Sequence, residues 1–257
     1  MTRCLTFCIV FLAWAGTLHA AERSEENVFQ VDPGARLSLE SHKGFIKIRT
    51  AAVSAIEVRV KIITEEDPAL LEYVQVEYRD TPSGLDIKVH HDQDAYRRQA
   101  GGFVWKGVTW PMVEFDILMP DDGSLRLETH KSEIDVEAPA GEVRIESHKG
   151  TGTITGIRSD LDLETHKGNF QVVIEDLYDL KIQTHKGDVT VDILRSSGFT
   201  LEGFTHKGRI NFPDRNIQTR SKRDDGREKS YYFREGNGAG NIELDTHKGN
   251  IEIRFDG

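Results

Sequence analysis

The four-residue motif [Ser/Thr]-His-Lys-[Gly/Ser] occurs seven times in this chain of 257 residues. Its copies contain seven of the ten histidines, as the pairs His42-Lys43, His130-Lys131, His148-Lys149, His166-Lys167, His185-Lys186, His206-Lys207 and His247-Lys248. From His130 onward, the histidines follow one another at intervals of 18, 18, 19, 21 and 41 residues. A period near 20 residues is typical of stacked repeats, and the last interval, close to two periods, predicts one coil without the motif.

Apolar and polar residues alternate on both sides of each motif. Around His166, for example, Leu161 and Leu163 precede the histidine, and Phe170 and Val172 follow it. A period of two is the strand period, and no copy shows the i, i+3, i+4 spacing of a helix. Each repeat therefore predicts a strand, a tight corner and a second strand. The glycine that closes most copies favours a corner with positive φ.

A unit of 18 to 21 residues cannot bury its own apolar face. Stacking such units at the strand spacing of ~4.8 Å joins their apolar faces into one continuous core. The predicted fold class is therefore all-β, a parallel β-solenoid with coils of about 18–21 residues.

Two stretches depart from the period. Residues 52–120 alternate as strands around the turn Thr81-Pro82-Ser83-Gly84. They predict an inserted antiparallel β element that caps the solenoid near its N-terminal end, where an open coil would expose strand edges. Residues 213–240 are rich in charge and glycine and are expected to form an irregular loop or a degenerate coil.

The first twenty residues have the pattern of a secretory signal peptide. Arg3 precedes an apolar stretch of 13 residues, and a small residue, Ala20, ends the segment. Cleavage there removes both cysteines, Cys4 and Cys8, so no disulfide or thiol nucleophile is expected in the mature protein. Residues 21–257 are predicted to form a single domain that is exported to the periplasm or the cell surface.

Charge and hydropathy argue against nucleic-acid binding and against a membrane-spanning segment. The chain has 33 Lys and Arg against 43 Asp and Glu, a formal net charge of −10. A general nucleic-acid binder needs a net basic face, so no nucleic acid is expected as a partner. No apolar run reaches the ~20 residues that span a bilayer, so no transmembrane segment is expected.

Three segments carry a resemblance to a known family. They are Phe29-Gln30-Val31-Asp32-Pro33-Gly34, Val113-Glu114-Phe115-Asp116-Ile117-Leu118-Met119-Pro120 and Gly236-Asn237-Gly238-Ala239-Gly240-Asn241-Ile242. With these segments the chain resembles the bacterial adhesin-like β-solenoid family, a domain-of-unknown-function group of exported and cell-envelope proteins. The resemblance covers essentially the whole mature chain. It implies an exported β-solenoid and no established reaction; family corners carry small residues where this chain has His-Lys.

If the coils stack in register, the residues at each motif position lie above one another in a column, here called a ladder. The Ser or Thr has the parity of the inward apolar residues, so the His should point outward, with the Lys near the corner. The residue before the Ser or Thr forms a further column, in sequence order Glu40, Glu128, Glu146, Glu164, Gln183, Phe204 and Asp245. Neighbouring lysines would repel by about 0.9 kcal/mol at ~4.8 Å in bulk water, which the acidic column can offset.

Three interpretations of the His-Lys ladder are open. The first is a solvated edge in which lysine guards against aggregation. The second is a cationic stripe that binds a polyanion or acidic glycan, since lysines suit arrays of carboxylate or phosphate as point charges. The third is metal binding by adjacent imidazoles, although a linear column offers mostly two ligands where a good site needs three or four.

Three shorter segments are lesser candidates. His90-His91-Asp92-Gln93-Asp94 has residue types that bind metals, but such clusters at strand ends are usually solvated. Phe103-Val104-Trp105-Lys106-Gly107-Val108-Thr109-Trp110-Pro111 and Tyr231-Tyr232-Phe233 contain aromatic residues that could stack on a sugar ring or fill a small core.

No enzyme is expected, and no catalytic residue, metal site or cofactor is assigned. Polysaccharide-active β-helix enzymes need one distinct cluster of acidic or basic groups, whereas here the titratable residues recur in every coil. The sequence therefore favours an exported non-catalytic scaffold or binding protein. Its expected partner is a polysaccharide or another envelope protein, and the motif lysines and histidines are the candidate ligand-binding residues.

Overall fold

The computed structural model describes residues 20–99, 108–213, 219–224 and 228–255. The expectation of an all-β chain is confirmed, since the described residues form eighteen strands, one short α-helix and one 3-10 helix. The predicted signal peptide lies outside the described residues except for Ala20. Within the described ranges, no helix is long and apolar enough to cross a bilayer.

The repeats build two sheet faces that meet at the motif. Three long strands contain a whole motif copy each, namely β2 (Arg36–Ala51), β7 (Ser124–Glu137) and β8 (Val143–Ile157). The other four copies divide at the motif into a strand on each face: β9 (Leu161–Lys167) and β10 (Phe170–Ile174), β11 (Asp179–Lys186) and β12 (Val189–Ile193), β13 (Gly198–Thr205) and β14 (Arg209–Asn211), and β17 (Gly240–Thr246) and β18 (Asn250–Phe255). Each motif copy with its two flanking segments is called a rung below.

Neighbouring rungs pair in parallel and in register. Lys131 lies opposite Lys43 on one side and Lys149 on the other, and Lys167 continues the row. Inward residues stack likewise, so that Leu161 lies opposite Leu180. The alternation seen in the sequence therefore places one side chain in two inside a shared core, where Leu163, Ile182 and Leu244 are fully buried. Each such leucine or isoleucine contributes about 1.5–3 kcal/mol through its burial.

The last rung lies between two earlier ones. Strand β17 pairs in parallel with β11 on one side and β13 on the other, and β18 lies between β12 and β14. The prediction that the 41-residue interval contains a coil without the motif is wrong, because the chain returns from the end of the stack and inserts its final rung. The order in space is therefore the rung of His185, then that of His247, then that of His206.

The described part of residues 213–240 contains two strands, β15 (Thr219–Asp224) and β16 (Lys229–Gly236). They pair with each other in antiparallel fashion, and β16 pairs antiparallel with β13. Strand β13 thus has β17 on one edge and β16 on the other. The short link Asn237–Ala239 joins these two neighbours, and the backbone passes so close to Gly198 that a Cβ there would lie 2.9 Å from the amide nitrogen of Asn237.

The N-terminal end combines antiparallel and parallel pairing. Its strands are β1 (Ala21–Gln30), β3 (Ala55–Thr64), β4 (Val74–Thr81), β5 (Gly84–His91) and β6 (Met112–Pro120). The order β1–β3–β6 is antiparallel, as is the hairpin β4–β5 around the expected turn. Strands β5 and β6 also pair in parallel with the two halves of β2, so they continue the stack by one more layer. Between the strands lie a 3-10 helix (Pro68–Tyr73) and the helix α1 (Gln93–Gln99).

Candidate functional site: the motif row

The seven His-Lys pairs form one continuous row at the corner between the two faces, here called the motif row. The Ser or Thr that precedes each pair points inward as predicted and is buried in every copy: Ser41, Thr129, Ser147, Thr165, Thr184, Thr205 and Thr246. The expected hydrogen bond at the corner forms in three copies, for example where Gly249 N–H donates to Thr246 Oγ1 at 3.0 Å. In the four others, the hydroxyl of Ser41, Ser147, Thr165 or Thr184 has no partner among the described residues.

The motif glycines are required chiefly because successive corners approach so closely. A Cβ added at Gly168 would overlap the carbonyl oxygen of Gly150, and the same holds for Gly249 against Gly187. Positive φ, which was expected at the corners closed by glycine, occurs at Gly44, Gly168 and Gly187 but not at the other motif glycines. The absence of a side chain therefore matters more here than left-handed backbone.

The imidazoles of the row are stacked face to face. The ring centroids of His148 and His166 are 4.8 Å apart with an interplanar angle of 1°. Every step of the row has a spacing of 4.6–4.8 Å and an angle of at most 8°, in the order His42, His130, His148, His166, His185, His247 and His206. This spacing is the strand spacing of a sheet, so the backbone register sets the stacking of the rings.

One end of the stack is closed by an aromatic cluster. His91 contacts His42 edge-on at 5.5 Å, and Trp110 contacts His91 at 5.4 Å. Tyr96 of α1 packs against Trp110 in turn. Burial and the neighbouring His42 lower the pKa of His91 to about 4, so this imidazole is neutral at physiological pH.

The motif lysines are uncompensated within the described part of the chain. None of the seven has a described carboxylate within 4.0 Å of its ammonium group, whereas off the row Lys61 pairs with Glu22 at 2.7 Å and Lys88 with Glu40 at 2.6 Å. The acidic column that was expected to offset the lysines instead pairs largely with cations on the sheet face. Glu128 accepts from Arg126, and Glu146 accepts from Arg144 at 2.9 Å.

The positive charges of the row act on its own imidazoles. Partial desolvation lowers the pKa of His185, and the adjacent His166, His247, Lys186 and Lys248 lower it further. The same causes lower the pKa values of His130, His166 and His247. The protonated forms of these four imidazoles are therefore disfavoured, and any added anion would favour proton uptake by their rings.

A shallow groove of about 380 Å³ runs beside the centre of the row. Its rim is formed by His166, His185 and His247. Its opposite side is formed by the residues two positions before these histidines, which belong to the column that precedes the motif, here called the outer column. These three are Glu164, Gln183 and Asp245, which are adjacent in space because the last rung is inserted. The sequence order conceals this grouping, and no signal in the sequence points to it.

The row does not assemble a metal site. The described residues contain no group of three or more His, Cys, Asp or Glu side chains that could hold a metal ion. In parallel rings 4.7 Å apart, the nitrogen lone pairs of neighbouring imidazoles point in parallel directions. Two imidazoles that bind one Zn²⁺ must instead point their lone pairs at the same ion, with Zn–N distances of about 2.0–2.1 Å.

The lesser candidates have structural partners. His90 Nε2 lies 3.0 Å from Glu77 across the β4–β5 hairpin. Trp110 packs in the aromatic cluster described above, while residues 100–107, with Trp105, lie outside the described ranges. Phe233 is buried in the core, and its ring stacks on Phe212 at 5.2 Å.

Comparison with known proteins places the fold in a family. Residues 111–254 match the family described as Toastrack DUF4097. Among solved structures, a protein named a putative cell adhesion protein from Clostridium sporogenes is similar, with 15% identity, coverage of 91% of this chain and 100% of that chain, and a TM-score of 0.45. A putative adhesin from Bacteroides fragilis is similar with 10% identity, coverage of 90% and 97%, and a TM-score of 0.28.

No curated protein matches the chain. The family match spans β6 to β18 and includes six of the seven motif copies. The resemblance noted from the sequence is confirmed, and because the matched residues make up more than half of the chain, this protein belongs to the Toastrack DUF4097 family.

Proposed function

We propose that this protein is an exported, non-catalytic binding scaffold of the cell envelope. In this proposal residues 21–257 form one parallel β-solenoid domain, and the motif row is its ligand-facing edge. The observation that carries the proposal is the uninterrupted row of seven imidazoles at 4.6–4.8 Å, each beside a lysine that has no carboxylate partner among the described residues. Such a row presents the same chemical groups again and again on a rigid core, which suits a long or repetitive partner.

Three features support export and binding over catalysis. The first twenty residues have the signal-peptide pattern, which directs the chain to the periplasm or the cell surface. The titratable groups of the row are equivalent from rung to rung, so no single rung offers the distinct acid and base that hydrolysis or elimination needs. The names of the similar solved proteins refer to adhesion, and we extend that role to this chain as part of the proposal.

Two other roles for the row compete with binding of an envelope ligand. A purely structural edge would use the lysines to prevent edge-to-edge aggregation. A metal binder would use pairs of imidazoles, but the parallel stacking described above turns neighbouring rings away from a common ion. The ligand-binding role requires that a glycan or envelope partner be lost when the row is changed, whereas the structural role requires no such loss and the metal role requires the loss of a metal ion.

The experiment is a binding screen against glycans, envelope extracts and divalent metals. The full mature chain is compared with a variant in which every His-Lys pair becomes Ser-Ser, and circular dichroism melting establishes that both are folded. We expect at least one glycan or envelope component to bind the natural protein and to be lost in the variant. Equal binding by both proteins would confine the row to a structural role.

A further inference from the structure

The motif lysines differ from many other cations of the surface in their lack of a described carboxylate partner. Cations at the corners on the far side of the rungs pair with carboxylates, as Arg158 does with Glu175 at 2.7 Å and Arg195 with Asp176 at 2.7 Å. Within the described ranges, no motif lysine has such a partner, although the chain as a whole has ten more acidic than basic residues. Within the described part of this acidic protein, the seven motif lysines therefore form one line of positive charge without ion-pair partners.

Charge of one sign at regular spacing restricts what can lie along that line. The lysines are in backbone register from Lys43 through Lys186, and backbone hydrogen bonds continue the row, since Lys248 N–H donates to the His185 carbonyl at 3.0 Å and Lys207 N–H to that of His247 at 2.7 Å. The row runs across the strands, along the stacking direction. A matching ligand is extended and carries one negative charge per repeat, at a spacing close to that of the strands.

We propose that the motif row binds a linear carboxylated polysaccharide that lies along the stacking direction, with its carboxylates on the lysine ammonium groups and its hydroxyls on the imidazole edges. This inference rests on the proposed function and names the ligand class of the same edge. A pyranose residue is about as long as one strand spacing, so the carboxylates that face the row recur at multiples of the rung spacing. In a DNA duplex, by contrast, each strand carries one charge per ~3.4 Å of helix axis, which does not match the spacing of the rungs.

The outer column restricts how such a ligand can lie. The groove beside the row contains the carboxylates of Glu164 and Asp245, with the neutral Gln183 between them. Carboxylates there accept hydrogen bonds from sugar hydroxyls and repel the ligand's own carboxylates, which are thereby directed to the lysine side of the row. The two sides of the imidazole line thus prefer the two kinds of group on an acidic sugar.

Binding by this row would be accompanied by proton uptake. His185 faces charged and titratable groups from its own rung and from both adjacent rungs, namely Lys186, Lys167, Lys248, His166, His247, Glu164 and Asp245. A carboxylate placed on the lysines cancels the positive field that disfavours the protonated ring. The affinity therefore rises as the pH falls from 7.5 towards 6, and protons are taken up from the buffer on binding.

The test is titration calorimetry of the full mature chain with an oligogalacturonate long enough to span seven rungs. Its methyl ester, polyphosphate and single-stranded DNA are the comparison ligands. We expect the acid form to bind and the ester not to bind. The affinity for the acid form should fall about tenfold or more as the salt concentration is raised from a low value to physiological strength. Titrations at pH 6.5 in two buffers of different ionisation enthalpy should show net proton uptake.

Two triple variants with the same loss of charge locate the site. Lys167→Gln, Lys186→Gln and Lys248→Gln removes three lysines that are adjacent in space, although the third is distant in sequence. Lys47→Gln, Lys181→Gln and Lys229→Gln removes three lysines off the row. We expect about a tenfold or greater loss of affinity in the first variant and less than twofold in the second, with both melting like the natural protein.

The outcomes separate this inference from the proposed function. Equal binding of the acid and its ester, equal loss in the two variants, or binding without proton uptake would overturn the carboxylated ligand. Tighter binding of polyphosphate or DNA would overturn it in favour of a phosphate polymer. If neither these ligands nor any component of the binding screen distinguishes the natural protein from the Ser-Ser variant, the proposed function fails as well.

Discussion

The imidazole of His247 stacks on that of His185 at 4.7 Å, although the motif copy of His206 lies between them in the sequence. The far face of His247 stacks on His206 at 4.8 Å, so the last copy joins the two preceding ones. Without this rung, the row would be interrupted and the edges of β11 and β13 would be unpaired on the sides that β17 now covers. The continuity of the candidate site therefore depends on residues 240–255.

Leu244 tests the importance of the inserted rung. It is fully buried and lies opposite Ile182 on one side and Gly203 on the other. Leu244→Ala should reduce the free energy of unfolding by about 2–5 kcal/mol, since it leaves a cavity between two rungs. Urea denaturation measures the change. Glu243→Ala, at an exposed position of the same strand, is the matched control and should change stability by less than about 0.5 kcal/mol. Equal effects would show that β17 does not pack between β11 and β13.

The close approach of the corners can be tested at Gly168. An alanine there adds a Cβ that overlaps the carbonyl oxygen of Gly150, at a residue that also has a φ of 154°. Because backbone atoms on both sides must move, Gly168→Ala should cost more than the ~1 kcal/mol that positive φ alone costs a non-glycine residue. Gly34→Ala is the control, because Gly34 has a φ of 75° and no atom within 4 Å of the added Cβ. A smaller loss of thermal stability at Gly168 than at Gly34 would contradict the stacking of corners.

Phe170 occupies the space left by the missing side chain of Gly152. A Cβ at Gly152 would lie 2.7 Å from Phe170 Cε1 and 3.1 Å from Ile134 Cβ. Gly152→Ala should therefore destabilise the protein by about 1–3 kcal/mol through overpacking. Adding Phe170→Leu to it should recover part of that loss, although Phe170→Leu alone is destabilising. A double-mutant cycle by urea denaturation gives the coupling, and additive effects would mean that the two residues do not share this space.

Acidification should destabilise the fold before its carboxylates titrate. Partial desolvation and the neighbouring charges lower the pKa values of His130, His166, His185 and His247 below the 6.5 of an unperturbed histidine. The unfolded chain then binds more protons than the folded one below pH 6.5, so the free energy of unfolding falls as the pH is lowered from 7 to 5. His91, with a pKa of about 4, adds to the same trend.

Urea midpoints between pH 7 and pH 5 test this prediction. A variant with asparagine at the four row positions should lose much of the pH dependence while remaining folded at pH 7. The window lies above the ordinary pKa values of Glu175 and Asp176, 4.5 and 3.8, whose pairing with Arg158 and Arg195 keeps them ionised further into acid. Midpoints that stay constant down to pH 5 would contradict the electrostatic account of the row.

Zinc should bind the row weakly. Neighbouring rings are parallel, and no set of three ligands converges among the described residues. Calorimetric titration of the mature chain with Zn²⁺ should therefore show no multisite binding at sub-micromolar concentrations, and the Ser-Ser variant should give the same result. Sub-micromolar binding that disappears in the variant would require the imidazoles to rotate out of the stack.

Much of the candidate site could be predicted from the sequence because the motif fixes local geometry. The parity of Thr165 relative to Leu161 and Leu163 predicts an inward hydroxyl, and Thr165 is buried. The partners of the outer column could not be predicted in the same way. Glu128 and Glu146 pair with Arg126 and Arg144 two residues earlier, and do not pair with the motif lysines of the same rungs. Several rotamers of these long side chains are compatible with the same alternation, and only packing selects among them.

By itself, the sequence determined the period, the strand character of both flanks, the inward face of each strand and the corner at each motif. These properties follow from residue alternation and local backbone sterics, which act over a few residues. Only the tertiary structure decided the order of the rungs, with the last one inserted between its two predecessors. Each rung offers the same alternation and register on both of its edges, so nearly equivalent pairings compete. The antiparallel pairing of β16 with β13 occupies one edge and leaves the other for β17.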